Sequence, residues 1–125
     1  MVAYRMEKAE IALEDASFLH DAARYNLAAN RLYYALFHAV SALLINDGYS
    51  VGSHRGAVGT FGQHYVTTGI FTVDEGKHYS RLQGLREKAD YNCTYNATEQ
   101  DIEPKIEPTR QLIEKIEKYI YEQSE

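Results

Sequence analysis

Between residues 26 and 46 the chain places apolar side chains at helical spacing around most of a helix's girth, and this limits the possible fold more than any other feature. Ala28, Leu32, Ala35, Ala39 and Leu43 line one side, with Tyr33, Phe37, Val40 and Leu44 beside them. A helix apolar over so wide an arc needs partners on more than one side, so it belongs at the centre of a bundle. Asp47-Gly48 closes it with a glycine suited to a helix C-terminus. One strip remains polar: Arg31, Tyr34, His38 and Ser41.

The rest of the chain supplies the partners. Residues 2–23 set Ala9, Ala12, Ala16, Leu19 and Ala23 at steps of three and four, a small-residue face that lets a neighbour approach closely. The pattern breaks only briefly near Asn26, which predicts an antiparallel hairpin with the central helix. Ser53 is placed to cap a helix over 54–66, despite Gly56, Gly59 and Gly62. Thr72 or Asp74 starts another helix, over 74–92, with Tyr79, Leu82, Leu85 and Ala89 as its stripe. Thr98 with Asp101 resembles a capping box for the last helix, where Ile102, Ile106, Thr109, Ile113, Ile116 and Ile120 repeat at steps of four and three. Pro104 suits a first turn, whereas Pro108 predicts a kink or a later start. No strand pattern or internal repeat competes. The expectation is one all-α domain over residues 1–125: an up-and-down helical bundle of four long helices and a short one.

Bulk properties narrow the function classes. A chain of 125 residues can bury a real core, and 45% hydrophobic with 25% charged residues is ordinary for a globular protein. The single cysteine, Cys93, excludes an internal disulfide. Neither a signal peptide nor a membrane-length apolar run is present, so the expected compartment is cytoplasmic and no membrane partner is expected. The Asn92-Cys93-Thr94 and Asn96-Ala97-Thr98 triplets are then chance matches to the glycosylation pattern. The net charge of −5 argues against broad capture of nucleic acid. It is unevenly spread, however. Residues 1–23 hold two basic and five acidic groups and residues 98–125 four and eight, but residues 24–97 hold seven and five, with four of the five histidines. A local positive field can sit on the middle of the chain.

Several chemistries lack their residues. No glycine-rich loop is followed by Lys-Ser or Lys-Thr, and no His-Glu-x-x-His pair or cysteine cluster offers metal-ligand spacing. No metal and no cofactor are expected. What remains is Arg31 with His38, two turns apart on one face, their Cα atoms about 10 Å from each other. Tyr34 lies between them, within reach of either. Such a strip is either a satisfied polar network in a bundle groove or half of an active site. Two copies of the helix meeting across a two-fold axis would bring each arginine near the other chain's histidine.

The run Asn30-Arg31-Leu32-Tyr33-Tyr34-Ala35-Leu36-Phe37-His38, followed by Ala39-x-x-Ala42-Leu43-Leu44, resembles the motif helix of the HEPN domain. The chain as a whole resembles small stand-alone prokaryotic members found beside minimal nucleotidyltransferases. The likeness extends to Ser53-His54-Arg55-Gly56, Thr68-Gly69-Ile70 and Arg86-x-x-Ala89-Asp90-Tyr91. It implies a homodimeric helical bundle whose Arg-x6-His motif faces the dimer cleft, and a metal-independent endoribonuclease acting as the toxin of a toxin–antitoxin pair. In that role Arg31 would grip the scissile phosphate and His38 would exchange a proton with the ribose 2′-hydroxyl or the leaving oxygen. Asn30 and Tyr34 would position, and His54 and Arg55 would either line the cleft at a helix start or form a solvated turn. Arg86 and Asp90, four residues apart, would pair and with Tyr91 steady the structure. The resemblance equally allows a non-catalytic module that supports a nucleotidyltransferase and binds a nucleotide, or a bundle that kept its dimer and lost its chemistry. Two positions depart from the family pattern. Leu32 stands where a polar residue often follows the arginine, and Leu36 where members paired with an adenylylating antitoxin carry a tyrosine.

Overall fold

A computed structural model describes residues 1–123. Five α-helices follow in order: α1 (Val2–Asp21), α2 (Tyr25–Asn46), α3 (His54–Phe61), α4 (Val73–Tyr91) and α5 (Glu99–Gln123), with one π-helical turn, Gly62–Val66, directly after α3. No strand occurs among the described residues. The all-α bundle of four long helices and a short one is as the sequence predicts.

The wide apolar arc of α2 explains the arrangement. Thirteen of its residues are buried, and it packs against α1, α3, α4 and α5. Each large side chain removed from water there contributes about 1.5–3 kcal/mol. Ala9, Ala12 and Ala16 bring α1 close along α2, and Ile102, Leu112, Ile113, Ile116 and Ile120 seal α5 against the core. Ser41, expected on the polar strip, is instead fully buried among apolar neighbours.

The ends of the helices are well specified. Gly48 (φ 83°) closes α2: Tyr49 N–H donates to the Leu44 carbonyl at 2.8 Å and Gly48 N–H to that of Ile45 at 3.2 Å. Just before it the Asp47 carboxylate accepts from the hydroxyls of Tyr65 (2.6 Å) and Tyr119 (2.9 Å), tying the end of α2 to the π turn and α5. The same closure ends α1, but its left-handed residue is Ala23 (φ 59°), with Arg24 N–H on the Leu19 carbonyl at 2.8 Å and Ala23 N–H on that of His20 at 3.0 Å. The expected short break near Asn26 is thus centred on Ala23, and the Asn26 side chain accepts from Ala97 N–H at 2.7 Å. A left-handed alanine is strained where glycine is not. Ala23→Gly is expected to raise stability by about 1 kcal/mol, seen as a higher urea midpoint at unchanged slope.

Two further expectations are corrected. The predicted helix over 54–66 is α3 plus the π turn. Ser53 caps it by accepting from Gly56 N–H at 3.0 Å, and Thr67 N–H reaches back five residues to the Gly62 carbonyl at 2.9 Å. The wider turn coincides with burial of Phe61 and Tyr65, and Gly76 lets α4 approach it, since a Cβ there would meet Val66 at 2.9 Å. Pro108 neither delays nor interrupts α5, which begins at Glu99 and contains both prolines. The carbonyls that the prolines leave without helical donors belong to the exposed residues Gln100 and Pro104, where water can serve them. The expected caps hold: Thr72 makes a complete capping box with Glu75, and Thr98 N–H donates to the Asp101 carboxylate at 2.9 Å.

Candidate functional site

The polar strip of α2 is joined by side chains from three other helices. Arg31 donates from Nε and Nη2 to Asn30 Oδ1, at 2.9 and 2.7 Å, and its guanidinium lies 5.1 Å from the centre of the Tyr34 ring. Asn30 Nδ2 donates to Asp90 at 2.9 Å. From α4, Arg86 pairs with Asp90 at 2.9 Å and donates to the hydroxyls of Tyr34 (3.0 Å) and Tyr91 (3.2 Å). The same guanidinium lies 5.3–5.5 Å from the ring centres of Tyr33, Tyr34 and Tyr91, a cation–π arrangement. From α3, His54 packs against Phe37 at 4.5 Å and against Tyr34 and Tyr33 at 5.5 and 5.6 Å.

Sequence reasoning missed one member. Arg5 of α1 lies 3.0 Å from His38 through Nη1 and Nδ1. The signal was present, because Arg5 continues the Ala9, Ala12, Ala16 stripe by one step of four and so sits on the seam that faces α2. Arg55, expected at the site, turns away to an exposed pair with Glu87 of α4 at 3.3 Å. Arg86 and Asp90 form the expected i, i+4 pair, and Arg86 in addition supports Tyr34 directly.

Leu32 and Leu36, where the sequence departs from the resembled pattern, are both fully buried. Neither side chain belongs to the polar face. Of the two tyrosines on the motif, Tyr33 is buried and Tyr34 half-exposed.

Cationic groups dominate the electrostatics. Burial, followed by the charges of Arg5, Lys8, Arg31 and His54, lowers the His38 pKa to about 4. Burial and Arg86 lower that of His54. Arg86 itself is held charged: burial works against it, but Tyr34, Tyr91 and Asp90 prevail. Burial pushes the Tyr33 phenol up to about 12 against the pull of Arg86. An imidazole held neutral by folding binds fewer protons than the same group unfolded. His38 and His54, with His78 shifted the same way by burial, therefore cost stability as pH falls below the unfolded value of 6.5, and for His38 the loss continues to about 4. The urea midpoint is expected to drop between about pH 7.5 and about pH 5, and His38→Gln should flatten that slope.

One other region suits this chemistry less well. A groove of about 500 Å³ between α1 and α5 is lined by Glu10, Glu14, Glu114 and Glu117 with Arg110, an acidic setting unsuited to a phosphate. Among the described residues no group of three or more His, Cys, Asp or Glu stands where it could hold a metal, and no helix is long and apolar enough to cross a membrane.

A four-helix convergence of arginines and histidines on an Arg-x6-His strip is an arrangement fit for an anion beside a proton-exchanging group. The model of the HEPN domain matches residues 2–119, and the chain belongs to that family. It is 34% identical over 120 residues to a protein of Thermotoga maritima named "UPF0332 protein", covering 96% of this chain and 91% of that one. Two proteins of Methanocaldococcus jannaschii are also similar. "Putative toxin MJ0605" is 32% identical over 94% of this chain and 87% of its own length; "Putative toxin MJ0142" is 27% identical over 92% and 78%.

Proposed function

We propose that this chain is a toxin-type endoribonuclease that works as a homodimer and is held in check by a minimal nucleotidyltransferase. The observation that carries the reading is the gathering of Arg31 and His38 with His54, Arg5 and Arg86 on one face, three guanidinium groups sharing that face with two imidazoles of lowered proton affinity. The names of the two archaeal relatives support the toxin role. In this reading Arg31 grips two oxygens of the scissile phosphate with its planar fork. A His38 imidazole accepts the proton of the 2′-hydroxyl, the 2′-oxygen bonds to phosphorus, and the bond from phosphorus to the 5′-oxygen breaks. The leaving oxygen takes a proton from an imidazolium, and the 3′ fragment keeps a 5′-hydroxyl while its neighbour ends in a 2′,3′-cyclic phosphate. Because Arg31 and His38 are two turns apart, the arginine of one chain and the histidine of another serve one phosphate.

End-labelled RNA incubated with the pure protein and excess EDTA tests this. Fragments ending in 2′,3′-cyclic phosphate are the expected result, and intact RNA at high protein concentration would sink the reading. A second reading has its own observation: in the free chain both motif groups are engaged, Arg31 by Asn30 and His38 by Arg5. That suits a non-catalytic module for a nucleotidyltransferase, and intact RNA together with stable co-elution with that enzyme would favour it.

A further inference from the structure

His38 of α2 and Arg5 of α1 are 33 residues apart in sequence and in hydrogen-bond contact, 3.0 Å between Nδ1 and Nη1. A guanidinium has five N–H donors and no acceptor, so Nδ1 must be the acceptor. The imidazole in that contact is neutral and carries its proton on Nε2. One ring nitrogen is blocked by Arg5 and the other is already protonated, so neither is free to take a proton. The arginine is itself poorly satisfied, since its Nε is buried without a hydrogen-bond partner. A phosphate offers several strong acceptors to the same fork, and charge-assisted bonds to an anion outlast a bond to a neutral nitrogen.

We propose that Arg5 is a positioning residue for His38: it holds the imidazole in the Nε2–H form while the site is empty and releases Nδ1 when a phosphate draws its guanidinium away. The inference builds on the ribonuclease reading only for its consequence, that proton exchange begins when the anion arrives. Loss of Arg5 then leaves His38 free at all times. The groups that face His38 are Arg5 and Lys8 from α1, Arg31 and Tyr34 from its own helix, and His54 from α3, with Arg86 of α4 behind Tyr34 and His54. The strongest charges acting on it are cationic, so removing one of them relieves a repulsion rather than a partnership.

The test is imidazole nitrogen NMR on the full-length protein, with Arg5→Met and Arg5→Lys, both of which keep an aliphatic stem. In the wild type His38 is expected to show the Nε2–H signature and a midpoint near pH 4. Arg5→Met is expected to move the midpoint toward the ordinary 6.5 and to mix the two tautomers, while Arg5→Lys, still a cationic donor, stays nearer the wild type. Inorganic phosphate should raise the wild-type midpoint and free Nδ1, with a smaller change in Arg5→Met. In RNA cleavage the acid limb of kcat/KM should move to higher pH in Arg5→Met, together with the NMR midpoint. An unchanged His38 midpoint and tautomer in Arg5→Met, or a wild-type proton on Nδ1, would overturn the proposal. The NMR needs no turnover. A shifted midpoint with uncut RNA removes the ribonuclease reading alone, and cut RNA with an unshifted midpoint removes the role of Arg5 alone.

Discussion

Arg31→Ala and His38→Ala are each expected to abolish most RNA cleavage while leaving the fold in place. Both side chains are half-buried at the edge of the bundle, so neither truncation opens the core. For His38 the loss is about 10²–10⁴-fold, the range for removing a positioned acid or base. For Arg31 it is about 10²–10³-fold, that of one preorganised charge stabiliser. Arg31→Lys should recover little, since an ammonium cannot form the two parallel bonds of a guanidinium. Single-turnover cleavage with EDTA present reads these effects directly. Mixing the two inactive variants distinguishes a shared site from a self-contained one. In a mixed dimer one site combines the intact arginine of one chain with the intact histidine of the other, and activity returns in part. A site formed within one chain shows no recovery.

Leu36→Ala is expected to cost about 2–5 kcal/mol, a large share of the roughly 5–15 kcal/mol that holds a domain of this size together. Leu36 is fully buried on α2, as is Leu32 one turn earlier. The lost methyl groups leave a cavity against surroundings that relax only partly. A urea midpoint well below that of the wild type, at unchanged slope, is the expected measurement. The same geometry gives the two departures from the family pattern a packing meaning. A polar residue at 32 or a tyrosine at 36 would point into this chain's core rather than onto the face carrying Arg31 and His38. Tyr34, half-exposed and hydrogen-bonded to Arg86, is the phenol of the motif that the face presents.

Residue by residue, what the sequence revealed followed how many neighbours a feature had. The central place of α2 could be read because its apolar residues exceed one face, and no local preference opposed them. Gly48 could be read because glycine advertises a left-handed residue, and Ala23 could not, because alanine does not. Pro108 misled for the opposite reason: its local cost is real, but the burial of Ile102, Thr109, Ile113 and Ile116 on the same helix outweighs it. The π turn depends on Phe61, Tyr65, Val66 and α4 together, a tertiary arrangement with no one-dimensional signature. At the candidate site the strip on α2 was visible from spacing. Arg55 was misplaced because its pair with Glu87 joins two helices whose approach spacing cannot give, and Arg5 escaped because a cation on a seam of small residues looks like an ordinary surface charge.

His38 owes its low proton affinity first to its burial between helices, then to α1 through Arg5 and Lys8, to its own helix through Arg31, and to α3 through His54, while Arg86 of α4 acts on His54 and donates to Tyr34. In the isolated α2 peptide those influences vanish and the ring titrates like any exposed histidine. The protonation midpoint of one imidazole is thus a gauge of tertiary assembly. Followed during refolding, it reports when the hairpin of α1 and α2 has closed, and any ligand or partner that pries α1 from α2 announces itself as a rising pKa before the helices unwind.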